Sequence, residues 1–266
     1  MRNTFIKKLT ELAENNKNIF LLVGDVGFGG VEEFEYKYPD RFLNVGIAEQ
    51  NMTGIAAGLA AEGYHVFTYS IANFPTFRCA EQIRNDIDYH NLPVTVVSVG
   101  AGVAYGSLGY SHHAIQDYGL MRMMPNFTIA SPGDPNEVEC VLAYLLKNPG
   151  PSYLRLGKSN EVSVTEKNKY LKPGNWYGLN NNKGIDEVIL STGTALQWLL
   201  KNRVNFINKD VQNNYLRDAL IVLTVYFFMA VFSVSSWCLL GKYLRNFATN
   251  ENFIKKFNYS MSFLLI

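Results

Sequence analysis

The most suggestive chemical group in this sequence is a carboxylate set in a run of small residues. Glu49 stands in VGIAEQNMTGIAAGLAAEG, where most other side chains are small or apolar, as expected for a helix packed closely against a neighbour. Two interpretations are open. Glu49 is either a helix-start charge favoured by the helix dipole or a buried acid with a raised pKa. The pattern alone favours the first interpretation.

A glycine-rich segment, GDVGFGG over 24–30, follows the apolar run IFLLV. A loop of this kind after a strand suits a phosphate or a cofactor, because glycine lets the backbone approach a ligand closely. It is not a P-loop, since no Gly-Lys-Ser/Thr follows, and it lacks the Gly-x-Gly-x-x-Gly pattern. An ordinary turn explains the segment equally well.

The adjacent residues His112 and His113 raise the question of a metal site. Neighbouring residues of a strand point to opposite sides, and no Asp, Glu or Cys lies at ligand spacing. We therefore expect no metal ligands in this chain.

Alternating helices and strands must position these groups. The sequence pattern predicts helices at 4–16, 47–62, 74–88 and 135–147, and strands at 19–25, 64–70, 93–100, 127–130 and 151–156. Continuous apolar strands that alternate with helices indicate a parallel sheet covered on both faces. Ligands of such sheets gather at the carboxyl ends of the strands. We therefore expect the loops at 24–30, 72–78 and 100–119 to carry the site.

Composition excludes several classes of protein. The 266 residues include 48% hydrophobic ones, enough for a sizeable core. The net charge of +1 gives no support to a nucleic-acid binder. The three cysteines are widely spaced, which excludes a disulfide scaffold and fits a reducing cytosol. Because the amino terminus is charged throughout and lacks the apolar stretch of a signal peptide, the sequence predicts a cytoplasmic protein.

The composition changes abruptly near residue 200. Residues 201–266 contain 8 Lys+Arg against 3 Asp+Glu, whereas the preceding part contains 16 against 20. Within this tail, 219–241 has no charged side chain and is long enough to cross a bilayer as a helix. A membrane association, a buried helix and a frame-disrupted carboxyl end are all open, and the abrupt change favours the disruption.

The segment NVGIAEQNMTGIAAGLAAEGYHVFTYS, followed by SPGDPNEV and PSYLRLG, resembles the pyrimidine-binding domain of the transketolase family. The similarity covers about 18–161. The resemblance implies the thiamine-diphosphate-binding α/β fold, a parallel sheet with helices on both faces. It further implies a pyrimidine-binding domain over 1–160, a linker over 161–186, a remnant of the family's carboxyl-terminal domain over 187–200 and an atypical tail over 201–266. The remnant opens a strand-turn-helix unit in DEVILSTGTALQ.

The resemblance also implies a cofactor. In this family, thiamine diphosphate supplies the chemistry, and a glutamate that hydrogen-bonds N1′ of its aminopyrimidine promotes loss of the proton at C2. By its place in the motif, that glutamate is Glu49. Asp25, with its neighbour Val26, matches the family segment near the aminopyrimidine. Phe74 and Phe77 lie in the segment whose aromatic rings stack on the aminopyrimidine, with ordinary core packing as the alternative.

Substrate residues follow from the same resemblance. His112 matches a family histidine that contacts the substrate, and Arg155 in YLRLG matches an arginine that binds sugar phosphate. The sequence departs from the family where an acidic pair is replaced by Ser107 and Leu108, and where a second histidine is replaced by Gly100. The usual pentose phosphates are therefore in doubt, and we expect an unusual sugar or sugar phosphate.

A partner subunit is the last implication. The family holds the diphosphate through Mg²⁺ on a separate domain marked by Gly-Asp-Gly and Asn-Asn, a pattern that Gly-Asp-Val at 24–26 and Gly-Asp-Pro at 133–135 do not complete. We expect thiamine diphosphate to bind together with an amino-terminal, diphosphate-binding transketolase subunit, which holds the Mg²⁺. The resulting hetero-oligomer would transfer a two-carbon ketol unit between sugars. A degenerate subunit, a membrane-tethered module and the beta subunit of a 2-oxo-acid dehydrogenase are the alternatives.

Overall fold

Short apolar strands build a parallel sheet whose carboxyl ends share one edge. The computed structural model describes residues 1–158, 161–167, 174–175, 177–179, 189–207 and 255. Its strands are β1 (Ile19–Val23), β2 (Phe42–Asn44), β3 (His65–Ile71), β4 (Val94–Val99), β5 (Thr128–Ala130) and β6 (Ser152–Leu156). They lie in the order β2-β1-β3-β4-β6-β5, and all neighbours are parallel.

Helices connect the strands. They are α1 (Arg2–Asn15), α2 (Glu32–Lys37), α3 (Glu49–Ala61), α4 (Ala80–Gln82), α5 (Asp117–Arg122), α6 (Pro135–Lys147) and α7 (Ala195–Ile207). A 3₁₀ turn at Phe77–Cys79 and a π-helical stretch at Ile83–Asp88 flank α4, so that 77–88 is one continuous helical segment. Further 3₁₀ turns lie at Pro39–Arg41, Gly106–Leu108 and Tyr110–His112. The last two turns fold the long connection after β4.

Alternate side chains of the strands pack into two hydrophobic clusters, one on each face of the sheet. On one face, Phe5 of α1, Phe34 of α2 and Leu142 of α6 pack with Phe67 and Leu154. On the other face, α3, the 77–88 segment and α5 contribute Met52, Ile83, Ile87 and Met121, which pack with Leu22, Val96 and Tyr153. Helices on both faces of a parallel sheet confirm the predicted fold class.

A buried polar row crosses the sheet at the amino-terminal end of β3. Nε2 of His65 lies 2.9 Å from Oγ1 of Thr95, which lies 2.7 Å from Oγ of Ser152. The His65 ring also stacks on Phe67, with ring centroids 4.8 Å apart. Burial lowers the pKa of His65 to about 4, so its imidazole is neutral near pH 7.

The predicted helix at 135–147 is confirmed, and its start has a local explanation. A carboxylate oxygen of Asp134 accepts a hydrogen bond from the Glu137 amide at 2.9 Å, while the Glu137 carboxylate accepts one from the Gly133 amide at 2.7 Å. This reciprocal cap satisfies two amide groups, and Pro135 in the first turn lacks the amide that would otherwise be unpaired.

The sequence analysis missed three short elements. Helices α2 and α5 have six residues each, and strand β2 has three. Elements this short do not complete enough helical turns or strand alternations to give a periodic signal. The remaining predicted helices and strands up to β6 are confirmed, with ends shifted by a few residues.

The chain beyond β6 agrees only partly with the predictions. The start of the predicted linker is tied to α6, because the amides of Val164 and Thr165 donate to Asp134 at 2.7 and 2.6 Å. Residues 189–192 do not form the predicted strand, whereas α7 corresponds to the predicted helix. The other predictions, including the apolar stretch 219–241, lie outside the described residues. Among the residues that are described, no helix is both long enough and apolar enough to span a bilayer.

Candidate functional site

Glu49 is buried at the first turn of α3, beneath the carboxyl edge of the sheet. Only 2% of the residue is exposed. A Cβ atom added at Gly24 would lie at ordinary van der Waals distance from Cγ of Glu49 (3.6 Å) and Oγ of Ser70 (3.4 Å), so both side chains lie close to the Gly24 backbone. The Ser70 hydroxyl is itself buried and has no hydrogen-bond partner among the described residues. Glu49 is thus both the first residue of a helix and buried.

One arginine compensates the charge of Glu49. An Nη1 atom of Arg78 lies 2.7 Å from the Glu49 carboxylate. The guanidinium carbon of the same side chain lies 4.8 Å from the centroid of the Phe74 ring, so the cation sits over an aromatic face. The Gln50 side-chain amide donates to the Arg78 carbonyl at 3.0 Å and fixes the backbone beside the pair. Glu49 and Phe74, both predicted site residues, are therefore bridged by a residue that the sequence analysis did not single out.

His112 joins this group through aromatic contacts. Its ring meets the Phe74 ring edge-on, with centroids 5.1 Å apart, and the Tyr105 ring at 5.8 Å. The Lys158 ammonium, just after β6, lies 4.8 Å from the centroid of Tyr105. The side chain of Asn73 also donates to the backbone carbonyl of His113, which ties the loop after β3 to the loop after β4. Contacts thus run from Glu49 through Arg78 and Phe74 to His112, and the roles of these residues at a cofactor or substrate stay predictions.

The other predicted cofactor residues have different surroundings. Asp25 is exposed and adopts a left-handed backbone with φ of +53°, and its carboxylate accepts a hydrogen bond from Asn44 at 3.2 Å. Val26 is partly buried and packs against the cluster that includes α1 and α6. Phe77 is 46% exposed at the start of the 77–88 segment. Roles for these three residues at the cofactor stay predictions.

Arg155 lies in a buried ion pair. Its Nε donates to the Asp117 carboxylate at 2.7 Å, and its Nη2 donates to the Ala114 carbonyl at 2.6 Å. Tyr153 donates to the same Asp117 oxygen at 2.6 Å. Burial disfavours the charge on the guanidinium, but the hydrogen bond and the charge of Asp117 outweigh it and raise the pKa of Arg155. These contacts orient the connection after β4, and sugar-phosphate binding by Arg155 stays a prediction.

The sequence analysis missed Arg78 and Asp117 for related reasons. Arg78 is the one charge within the aromatic segment NFPTFRCA, which is the signal that could have identified it. Asp117 is 38 residues from Arg155 along the chain, and no local pattern links the two.

Asp134 is occupied by structural contacts. In addition to the α6 cap, it accepts hydrogen bonds from the amides of Val164 and Thr165 and from the Thr165 hydroxyl. Burial opposes its charge, but these hydrogen bonds lower the pKa of Asp134. The described part of the chain contains no group of three His, Cys, Asp or Glu side chains that could hold a metal ion.

Comparison with known proteins connects this geometry to one family. A family model described as the transketolase pyrimidine-binding domain matches residues 1–162. A subunit of the apulose-4-phosphate transketolase of Actinobacillus succinogenes is 30% identical over 213 residues, which cover 80% of this chain and 68% of that protein. The putative transketolase C-terminal section of Methanocaldococcus jannaschii is 35% identical over 167 residues, covering 62% of this chain and 53% of that protein.

A solved structure is also similar to this chain. A split-gene transketolase, described as an inactive beta4 tetramer, is similar with a TM-score of 0.61 and 36% identity, covering 68% of this chain and 59% of that chain. The chain thus spans between 53% and 68% of the length of these three proteins.

Proposed function

This chain belongs to the transketolase family, whose pyrimidine-binding domain it contains, and on that premise we propose that it is one subunit of a split, thiamine-diphosphate-dependent transferase of ketol groups. The observation that carries the proposal is Glu49, a buried carboxylate at the carboxyl edge of the sheet, whose ion-pair partner Arg78 lies over the Phe74 ring. Burying a carboxylate is costly unless it is paired or hydrogen-bonded, and Arg78 is the partner that the structure shows for Glu49.

The aminopyrimidine end of thiamine diphosphate fits the residues that are present. Glu49 would hydrogen-bond N1′, and Phe74 would offer the ring face on which the pyrimidine stacks. A flat cation with N–H donors already meets both residues, because the Arg78 guanidinium bonds the carboxylate and lies over the ring. Asp25, Val26 and Phe77 remain proposed neighbours of the same ring.

Each residue would do a specific task once the cofactor supplies its nucleophilic carbon. Glu49 holds or shares a proton at N1′, and its burial strengthens that hydrogen bond because little water competes for it. His112, in edge contact with Phe74, contacts the substrate. Arg155 would orient a sugar phosphate only through the N–H groups that do not already bond Asp117 and the Ala114 carbonyl.

The diphosphate and its Mg²⁺ would be held by an amino-terminal partner subunit. Relatives described as one subunit of a transketolase, as a C-terminal section and as a split-gene transketolase support a two-chain arrangement. The loops at the carboxyl edge also present exposed apolar side chains: Phe28, Ile47, Phe77, Val103, Leu108, Tyr110 and Ile115. Exposed apolar surface of this extent is typical of an interaction site, so this rim is the proposed contact with the partner.

The proposed substrates are sugar phosphates or modified sugars. The relative from Actinobacillus succinogenes is named for apulose 4-phosphate, which supports this class of substrate. A cytoplasmic location is proposed because sugar phosphates are substrates of the cytosol and because the few cysteines fit a reducing compartment.

Co-expression tests this function directly. The chain is produced with a candidate partner that carries Gly-Asp-Gly and Asn-Asn, and the purified complex is screened with ketose phosphates for two-carbon transfer. We expect transfer that requires both chains, thiamine diphosphate and Mg²⁺, and that is lost in Glu49→Gln. A cofactor-loaded complex whose transfer is unchanged by Glu49→Gln would refute the proposed role of the site.

A further inference from the structure

Arg78 makes the two contacts that the proposed function assigns to the aminopyrimidine. Its guanidinium donates to the Glu49 carboxylate at 2.7 Å and lies over the Phe74 ring at 4.8 Å. A guanidinium and an aminopyrimidine are both flat, and both present nitrogen atoms in a plane. The guanidinium donates to a carboxylate edge-on while it stacks on an aromatic face, and an aminopyrimidine with a proton at N1′ can do the same.

The two partners of the ion pair differ strongly in exposure. The Glu49 side chain is 2% exposed, whereas the Arg78 side chain is 46% exposed. Because the Arg78 side chain is already partly in solvent, turning it outward requires less rearrangement than moving the buried Glu49 side chain would. The arginine is therefore the partner that can leave.

Leaving Glu49 unpaired would be unfavourable, because an isolated buried charge carries a desolvation cost that nothing compensates. The Arg78 contact removes that cost as long as no other donor reaches the carboxylate. A ligand that donates to Glu49 would have to compete with the guanidinium for the same oxygen and the same ring face.

We propose that Arg78 is a positioning residue that stands in for the aminopyrimidine: it pairs with Glu49 and keeps that side chain in place, and the incoming cofactor must displace it. This proposal rests on the proposed function. If the guanidinium occupies the site for most of the time, the apparent affinity for the pyrimidine is the intrinsic affinity multiplied by the small fraction of time that the site is open. Removing the guanidinium should therefore tighten pyrimidine binding while it destabilises the unliganded chain.

The test uses the full chain and the probe 4-amino-5-hydroxymethyl-2-methylpyrimidine, which is the ring without the diphosphate. Binding is followed by ligand-observed NMR for the parent, Arg78→Met and the matched control Arg84→Met, in which an exposed arginine of the same helical segment is changed. We expect Arg78→Met to bind the probe about tenfold more tightly and to melt several degrees lower than the parent. Arg84→Met should match the parent in both measurements.

Loss of an ordinary structural residue would lower the melting temperature without tightening probe binding. Tighter binding together with a lower melting temperature therefore identifies a stand-in. Equal or weaker probe binding by Arg78→Met, including no detectable binding by either form, would overturn the proposal. If Arg78→Met does not fold, the parent provides a second measurement. The guanidinium protons of Arg78 should exchange with water more slowly while they are paired with Glu49, and this exchange should become faster when the probe is added. Exchange that does not change on addition of the probe would also overturn the proposal.

The failure of this inference can be separated from the failure of the proposed function. If the two-chain complex binds thiamine diphosphate in a Glu49-dependent manner but Arg78→Met gains no affinity for the probe, the stand-in is wrong and the function stands. If the complex binds no thiamine diphosphate, the proposed function itself fails.

Discussion

The ring of Tyr105 fills the space that a side chain at Gly100 would need. A Cβ atom added at Gly100 would overlap the Tyr105 ring, and the backbone of Gly100 has a φ of +95°. Burial of this ring raises the pKa of Tyr105. The absence of a side chain at position 100 and the aromatic ring at position 105 are thus one structural feature, which places Tyr105 against His112.

Replacing Gly100 with Ala should be strongly destabilising, for two separable reasons. The Cβ clashes with Tyr105, and a φ of +95° is unfavourable for any residue with a side chain. We expect a loss of about 2–4 kcal/mol in the free energy of unfolding. Urea denaturation of Gly100→Ala, Tyr105→Ala and the double variant measures the coupling. In the double variant the clash is absent but the unfavourable φ at position 100 remains, so its loss of stability should be smaller than the sum of the two single losses. Strict additivity of the two losses would show that the residues do not share this space.

Breaking the pair between Asp117 and Arg155 should also be costly. Arg155→Met leaves the fully buried Asp117 carboxylate without its cation, and we expect a loss of about 3–5 kcal/mol. Tyr153→Phe removes one neutral donor to the same oxygen and should cost about 1–2 kcal/mol. Chemical denaturation of both variants compares them. A loss in Arg155→Met no larger than that in Tyr153→Phe would mean that the guanidinium is not committed to Asp117.

His65 should make stability depend on pH below neutrality. Its pKa is lowered to about 4 in the folded chain, against about 6.5 when unfolded, so the unfolded chain binds the proton more readily between these values. The contribution of the neutral, buried ring to the free energy of unfolding is therefore complete above pH 6.5 and is lost as the pH falls toward 4. The loss amounts to at most about 3 kcal/mol.

The control for this prediction is His65→Gln, which keeps a polar group near Thr95 but does not titrate. The stability difference between parent and variant should shrink as the pH is lowered from 7 to 4, as measured by thermal unfolding at each pH. A difference that stays constant over this range would show that His65 is not the titrating group.

Local signals account for the parts of the fold that the sequence predicts well. The start of the helix at 135–147 is defined by Asp134, Pro135 and Glu137, which lie within four residues: Asp134 accepts from the Glu137 amide, and Pro135 occupies the first turn. The strands follow from uninterrupted apolar runs, because a sheet covered on both faces buries both sides of each strand.

Contacts between distant residues account for what the sequence does not predict. Glu49 and Arg78 are 29 residues apart and meet only because α3 and the 77–88 segment cover the same face of the sheet. The position of Glu49 could be predicted from its motif, but its partner could not. Asp117 likewise becomes important only when β6 brings Arg155 beneath the connection after β4.

The most direct test of this account is the rate at which the C2 proton of bound thiamine diphosphate exchanges in the two-chain complex. Glu49→Gln keeps the size and hydrogen-bonding capacity of the side chain but cannot share an acidic proton with N1′. We expect exchange, followed by NMR after quenching, to slow by about 10²–10⁴-fold. His112→Ala should leave this exchange largely intact while it impairs substrate transfer. Exchange in Glu49→Gln as fast as in the parent complex would contradict the account and reduce Glu49 to a structural charge at the start of α3.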